Sequence, residues 1–226
     1  MSIAEKLTTI AENEQKVYEA GVAWLENALI HQRTAIDKFS STKLFEKADL
    51  TGYTFKKTYR PKGSLIMTFY DYKGTELPKN MDFSGVTSVY DSMGGQRQLF
   101  MWSTALKEIP DYGLPAIALG NSFDYCRQLV TIEKIRITKT ITPPTFKEVL
   151  SLVNIRFEGE IGQSISFSNS SKLSIESLRN IISCLYDFVG NGETTTQTLT
   201  LHATAKARLT EDDIKTITDK GWTIAS

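Results

Sequence analysis

Apolar side chains recur along this chain with two different periods, and each predicts a different kind of element. Residues 3 to about 36 contain no proline and one glycine, and their apolar positions fall at helical spacing. Steps of four and three connect Ile3, Leu7, Ile10, Glu14, Val17, Gly21, Trp24 and Ala28. This heptad-like seam, with Ile3, Leu7, Ile10, Val17 and Trp24 as its large apolar members, predicts a long amino-terminal helix. A helix so thin in apolar residues is marginal alone, because nucleation is costly and helical stability comes mostly from packing. Two partners stay open: the body of the same chain, or other copies of the helix in a coiled coil, with a homotrimer favoured.

The second period is longer. Phe, two residues, a compact residue, two residues, Leu occurs at Phe100-Ser103-Leu106, Phe123-Cys126-Leu129, Phe146-Val149-Leu152 and Phe167-Ser170-Leu173, with the Phe positions 23, 23 and 21 residues apart. Isoleucine follows three residues after Leu at Ile109, Ile132 and Ile155. A step of 20 to 29 residues with a Leu-x-x-Ile core predicts a leucine-rich solenoid, each coil burying its apolar side chains against its neighbours. Period-two alternation at 135–137, 155–157, 165–167 and 199–201 places strands on one sheet of that solenoid, with Arg136, Arg156, Ser166 and Thr200 turned to solvent. Ser174 is positioned to cap a helix, Thr210 to open another through a capping box, and Trp222-Thr223-Ile224 to form a last strand. The segment 53–72, rich in Tyr and Phe around Pro61-Lys62-Gly63, reads as a hairpin or first coil. The expected organisation is a helical stalk over 1–38, a linker and amino-terminal cap over 39–80, and the solenoid with a helix–strand cap over 81–226.

Composition narrows the function classes. With 226 residues, 26 basic and 26 acidic side chains and a formal net charge of zero, the chain lacks the excess positive charge that drives nucleic-acid or anionic-membrane binding. No apolar run approaches the ~20 residues of a membrane span, and Glu5, Lys6, Glu12 and Glu14 occupy the place of a signal core. Neither nucleic acid nor membrane insertion is expected. Cys126 and Cys184 have neither metal-ligand nor disulfide-framework spacing and read as small buried hydrophobes.

The residues from Phe123 to Ile132, Phe-x-x-Cys-x-x-Leu-x-x-Ile, resemble the BspA-like class of bacterial leucine-rich repeats, as does Ile161-Gly162 followed by Phe167. The likeness covers roughly residues 80 to 226, with Ser103, Val149 and Ser170 standing where that class often has Cys. The opening, Met-Ser-Ile-Ala-Glu-Lys-Leu-Thr-Thr-Ile-Ala-Glu-Asn-Glu-Gln-Lys-Val-Tyr-Glu-Ala-Gly, is similar to the start of small proteins encoded by phages and prophages of Gram-positive gut bacteria. The resemblance implies an α+β fold, a long amino-terminal helix followed by an irregular BspA-like leucine-rich repeat solenoid. It also implies a virion protein, assembled in the bacterial cytoplasm, that meets other virion proteins through its helix and a host surface protein or glycan through its repeats. A tail fibre or receptor-binding component is the first reading; a head fibre or decoration protein and a bacterial adhesin-like module are the others.

Candidate chemistry is sparse. His31 and His202 lack carboxylate or second-His company at short spacing, and Gly94-Gly95-Gln96 reads as a turn. No nucleotide-binding glycine loop occurs. The expectation is therefore no enzyme, no catalytic residue, no metal and no cofactor. Aromatic and outward basic residues on successive coils, Trp102, Tyr112, Tyr125, Arg136 and Arg156, form the candidate ligand face, with core or capping roles as the alternative for the aromatics. If the stalk trimerises, light scattering on the full chain gives a mass near three times 25.3 kDa; a monomer contradicts the self-associating seam.

Overall fold

The computed structural model describes residues 41–42, 44–89 and 97–226. The proposed helix with its seam Ile3, Leu7, Ile10, Val17 and Trp24, together with His31 and Gly94-Gly95-Gln96, lies outside the described residues. Among the described residues eleven strands follow one another: β1 (Ser41–Thr42), β2 (Thr54–Tyr59), β3 (Gly63–Ile66), β4 (Lys79–Met81), β5 (Val86–Ser88), β6 (Glu108–Ile109), β7 (Thr131–Ile137), β8 (Asn154–Gly159), β9 (Ile165–Phe167), β10 (Gln197–Leu201) and β11 (Trp222–Ala225). Every pairing between them is parallel. Ile109 pairs with Ile132 and Ile132 with Ile155, the same 23-residue step that separates Phe100, Phe123 and Phe146.

The architecture corrects the expected fold class. A leucine-rich solenoid of the kind anticipated lines its strands into one continuous sheet, whereas here they fall into four small ones: β1-β3-β5, β2-β4, β6-β7-β8 and β9-β10-β11. Helix among the described residues is confined to α1 (Ile175–Cys184), α2 (Ala203–Lys206) and α3 (Glu211–Asp219). A separate feature of the backbone recurs just after the repeated Phe residues. Trp102, Tyr125 and Glu148 adopt φ of 67°, 63° and 57°, and a left-handed residue ends an extended run. The segments carrying Phe69, Phe100 and Phe123 are therefore turns or bends, and the strands lie between them. Nor is 53–72 a hairpin: β2 and β3 flank Pro61-Lys62-Gly63 but do not pair with each other, β2 joining β4 and β3 joining β1 and β5. The strands at 135–137 and 155–157 share one sheet, and those at 165–167 and 199–201 lie in another.

Within Ser40–Ser226, one packing unit, a column of phenylalanines runs unbroken from Phe45 to Phe167. Ring centroids are 5.1 Å apart for Phe45–Phe69, 5.5 Å for Phe69–Phe100, 6.1 Å for Phe100–Phe123, 5.6 Å for Phe123–Phe146 and 4.7 Å for Phe146–Phe167. All six are buried, as are Leu106, Ile109, Cys126, Leu129, Ile132, Leu152, Ile155 and Leu173 around them. Burying each ring contributes roughly 1.5–3 kcal/mol, and each aromatic pair adds about 0.5–1.5 kcal/mol.

Three of the four compact residues that follow a Phe by three have a task of their own, the fourth being the apolar Val149. Ser103 Oγ donates to the Phe69 carbonyl at 2.8 Å, Cys126 Sγ to the Phe100 carbonyl at 3.1 Å and Ser170 Oγ to the Val149 carbonyl at 3.1 Å. These bonds satisfy backbone acceptors that turns, unlike strands, leave without a ladder partner. Burial pushes the Cys126 thiol up to about 12, so it stays protonated as a donor.

The carboxy-terminal end is closed by caps. Ser174 Oγ accepts from Ser177 N at the start of α1, and Thr210 and Asp213 form a capping box at α3. The Lys220 ammonium donates to the carbonyls of Ile182, Ser183 and Leu185, satisfying the end of α1. Trp222 is buried beneath and donates its indole N–H to Tyr186 O at 2.9 Å.

One glycine is obligatory. At Gly159, φ is +108° and a Cβ would sit 2.0 Å from the Ile137 carbonyl oxygen across the β7–β8 ladder.

Urea unfolding checks this packing. Phe123→Ala is expected to cost about 3–5 kcal/mol, whereas Leu150→Ala, at a position 42% exposed, is expected to stay within about 0.5 kcal/mol. Equal costs at the two positions contradict the column.

Candidate ligand-binding surface

Two residues after each central Phe of the column comes a left-handed residue, and these stack into an outward row. Trp102 follows Phe100, Tyr125 follows Phe123 and Glu148 follows Phe146. The row is tied laterally by Trp102 N donating to Asp124 O at 3.0 Å and Tyr125 N donating to Lys147 O at 2.7 Å. The Trp102 and Tyr125 rings stack with centroids 4.1 Å apart and planes 3° from parallel. Trp102 remains 38% exposed, one of few large apolar side chains so open among the described residues. A non-glycine left-handed residue costs of order 1–2 kcal/mol, so the rungs on either side hold this row in a conformation it would not adopt alone.

The Lys147 ammonium lies 5.2 Å from the Tyr125 ring centroid. Its hydrogen bonding to Tyr125, with smaller help from the Asp124 and Glu148 carboxylates, holds its pKa above the ordinary lysine value. Lys147 also stands at the edge of a groove of about 410 Å³. The floor and wall of that groove are Pro143, Pro144, Phe146 and Ile165, all buried; its rim carries Thr142, Thr145, Ser164, Ser166, Ser168, Asn169, Thr198 and Thr200. The rim hydroxyls come from the 142–147 turn and from the outward positions of β9 and β10, brought together by the Ile165–Leu199 pairing. Several are already oriented: Ser164 Oγ donates to Gln197 Oε1 and accepts from Thr198 N, and Thr198 and Thr223 hydroxyls meet at 2.9 Å.

Asp124 joins the row to the groove. It is 4% exposed, and its Oδ1 accepts from Thr145 Oγ1 at 2.7 Å and from Lys147 N at 2.9 Å, while its carbonyl accepts from Trp102 N. One buried carboxylate thus orders the groove's Pro-rich wall, and the same residue's backbone anchors Trp102.

Of the sequence-predicted ligand face, the structure stacks Trp102 on Tyr125 and engages Tyr112 and Arg136 with other partners. Tyr112 packs its ring against Phe83 at 5.3 Å and donates its hydroxyl to Pro78 O, and burial raises its pKa. Arg136 forms a bidentate pair with Asp111 at 2.8 and 2.9 Å, within a neutral cluster that includes Lys134 and Glu158. Arg156 is exposed on β8. His202 caps α2, its Nδ1 accepting from Thr204 N, and Cys184 is half-buried with burial raising its pKa. No group of three or more His, Cys, Asp or Glu among the described residues converges to hold a metal ion. Lys147, Asn169 and the rim hydroxyls belong to the surface although no motif marks them as ligand residues; their only sequence signal is the polar alternate position of each strand and the Pro-Pro pair.

Comparison with known proteins yields no matching family model, no matching curated protein and no matching solved structure.

The Arg136–Asp111 pair has a pH signature. Arg136, first among several partners, holds the Asp111 carboxyl well below the usual carboxylate range. A lowered folded pKa means the contribution is present above the unfolded value of ~3.9 and is lost as pH falls through the folded one. In Arg136→Met the Asp111 titration, followed by carboxyl NMR, is expected to move upward. The stability advantage of wild type over the variant is expected to be full at pH 7 and to shrink only below about pH 4. An advantage independent of pH contradicts the assignment.

Proposed function

We propose that this chain is a non-enzymatic recognition protein that binds the surface of a bacterial host, in a virion and at its tail-fibre or receptor-binding end. The observation that carries the reading is the stack of exposed Trp102 on half-buried Tyr125, held on a strained, rigid row beside an open groove. Rigid aromatic side chains presented at low entropic cost are what recognition surfaces use as anchors. The groove lining contains no carboxylate, which favours binding over glycoside hydrolysis, since that reaction needs two acids flanking the bond. The virion setting is supported by the similarity of residues 1–21 to the opening of phage-encoded proteins. A trimer formed through residues 1–38 would present three such surfaces and multiply a modest affinity.

Fluorescently labelled full-length protein, incubated with a panel of whole Gram-positive gut bacteria, tests this directly. Wild type is expected to be retained on at least one strain, and Trp102→Ala, matched to wild type by circular dichroism, to be retained roughly tenfold less, the effect of losing one aromatic anchor. Retention of the variant at the wild-type level, or of neither protein on any strain, contradicts the reading.

A further inference from the structure

Resting on the recognition reading, we infer that the Trp102–Tyr125 row and the hydroxyl-rimmed groove form one continuous site for an anionic saccharide, with Lys147 receiving the negative charge. Three observations converge on this ligand chemistry.

The first is shape and polarity. The row passes from Trp102 to Tyr125 to Glu148, whose N–H donates to Asn169 Oδ1; Lys147 stands beside its last member, and the groove opens at that end. At about 4.8 Å per rung the strip is roughly 15–20 Å long, enough for a short oligosaccharide. The second is the kind of group on offer. A pyranose ring has an apolar C–H face, which an exposed aromatic ring covers, and a fringe of hydroxyls that both donate and accept. Ser166, Ser168, Thr198 and Thr200 offer the same dual capacity, and Asn169 adds an amide.

The third is charge. Lys147 is the one charged residue lining the groove. Lys134, Arg136, Lys139 and Lys73 each pair with a carboxylate, whereas among the described residues no carboxylate lies within ion-pair distance of Lys147. The nearest acids are engaged elsewhere: Asp124 is buried and accepts from Thr145 and Lys147 N, and Glu148 faces Arg127 at 3.5 Å. The ammonium sits at the junction of aromatic and hydroxyl halves, where an acidic group on a ring stacked or bound there completes it. A uronate carboxylate and a sugar phosphodiester share this chemistry.

Isothermal titration of the full chain tests the inference with tetragalacturonate, a sugar-phosphate oligomer of similar length, cellotetraose and tetraglutamate, at low ionic strength. One of the two anionic saccharides is expected to bind about tenfold or more tighter than cellotetraose, the size of one charge-assisted hydrogen bond, and the tighter one identifies the anion. Lys147→Gln is expected to bring that ligand down to the cellotetraose level, Lys147→Arg to keep the preference, and Trp102→Ala to weaken both saccharides. Equal binding of neutral and anionic saccharides, or a preference that survives Lys147→Gln, overturns the inference and leaves the recognition reading intact. Tetraglutamate binding as tightly as the preferred saccharide also overturns it, in favour of an acidic peptide. Cell retention without binding of any saccharide refutes the ligand class alone; loss of both refutes the two readings together.

Discussion

The column of stacked phenylalanines is the constraint on which the rest of this molecule depends. Parallel strands of two to seven residues, divided among four small sheets, supply few hydrogen bonds each and cannot hold a chain together by themselves. Phe45, Phe69, Phe100, Phe123, Phe146 and Phe167 run past every break between those sheets. Because each ring packs against the one before and after it, the column sets the spacing at which the turns follow one another. The Ser and Cys donors beneath it then satisfy carbonyls that the sheets do not reach.

The outward surface inherits this regularity. With Phe100, Phe123 and Phe146 held in line, the residue two positions later is held in line as well, and its left-handed backbone turns the chain back toward the core. Trp102 and Tyr125 can therefore stack almost in parallel without moving. Asp124 transmits the same order to the Pro143-Pro144 wall, so the aromatic row and the hydroxyl groove are built on one frame. Loss of conformational freedom is met largely in folding and need not be met again when a ligand arrives.

Much of the core was legible because the 23-residue step repeats with little variation between Phe100 and Phe146. Its extension to Phe69 and Phe45 was not, because 31 residues separate Phe69 from Phe100 and Tyr72 occupies the position where later copies have a compact side chain. Tyr72 fits there since its hydroxyl donates to Glu76 O and accepts from Leu50 N. The caps at Ser174 and Thr210 were readable from local sequence, as caps depend on neighbours three residues away. The division into four sheets was not, and neither were the left-handed turns at a tryptophan, a tyrosine and a glutamate, because such a φ leaves no mark in composition. Within the ligand face, Tyr112 and Arg136 were lost to Pro78 and Asp111, pairings of polar groups that the apolar repeat does not mark. The groove depends on a 34-residue offset between Ile165 and Leu199, longer than the other steps because α1 lies between them.

Native-state hydrogen exchange of the amides of Trp102 and Tyr125, in wild type and in Phe123→Leu, tests most directly whether the buried column holds the recognition row in place. The account predicts that both amides exchange slowly in wild type and that their protection falls together when the column is loosened at Phe123. Rapid exchange in wild type, or protection at Trp102 and Tyr125 untouched by the change at Phe123, would contradict it.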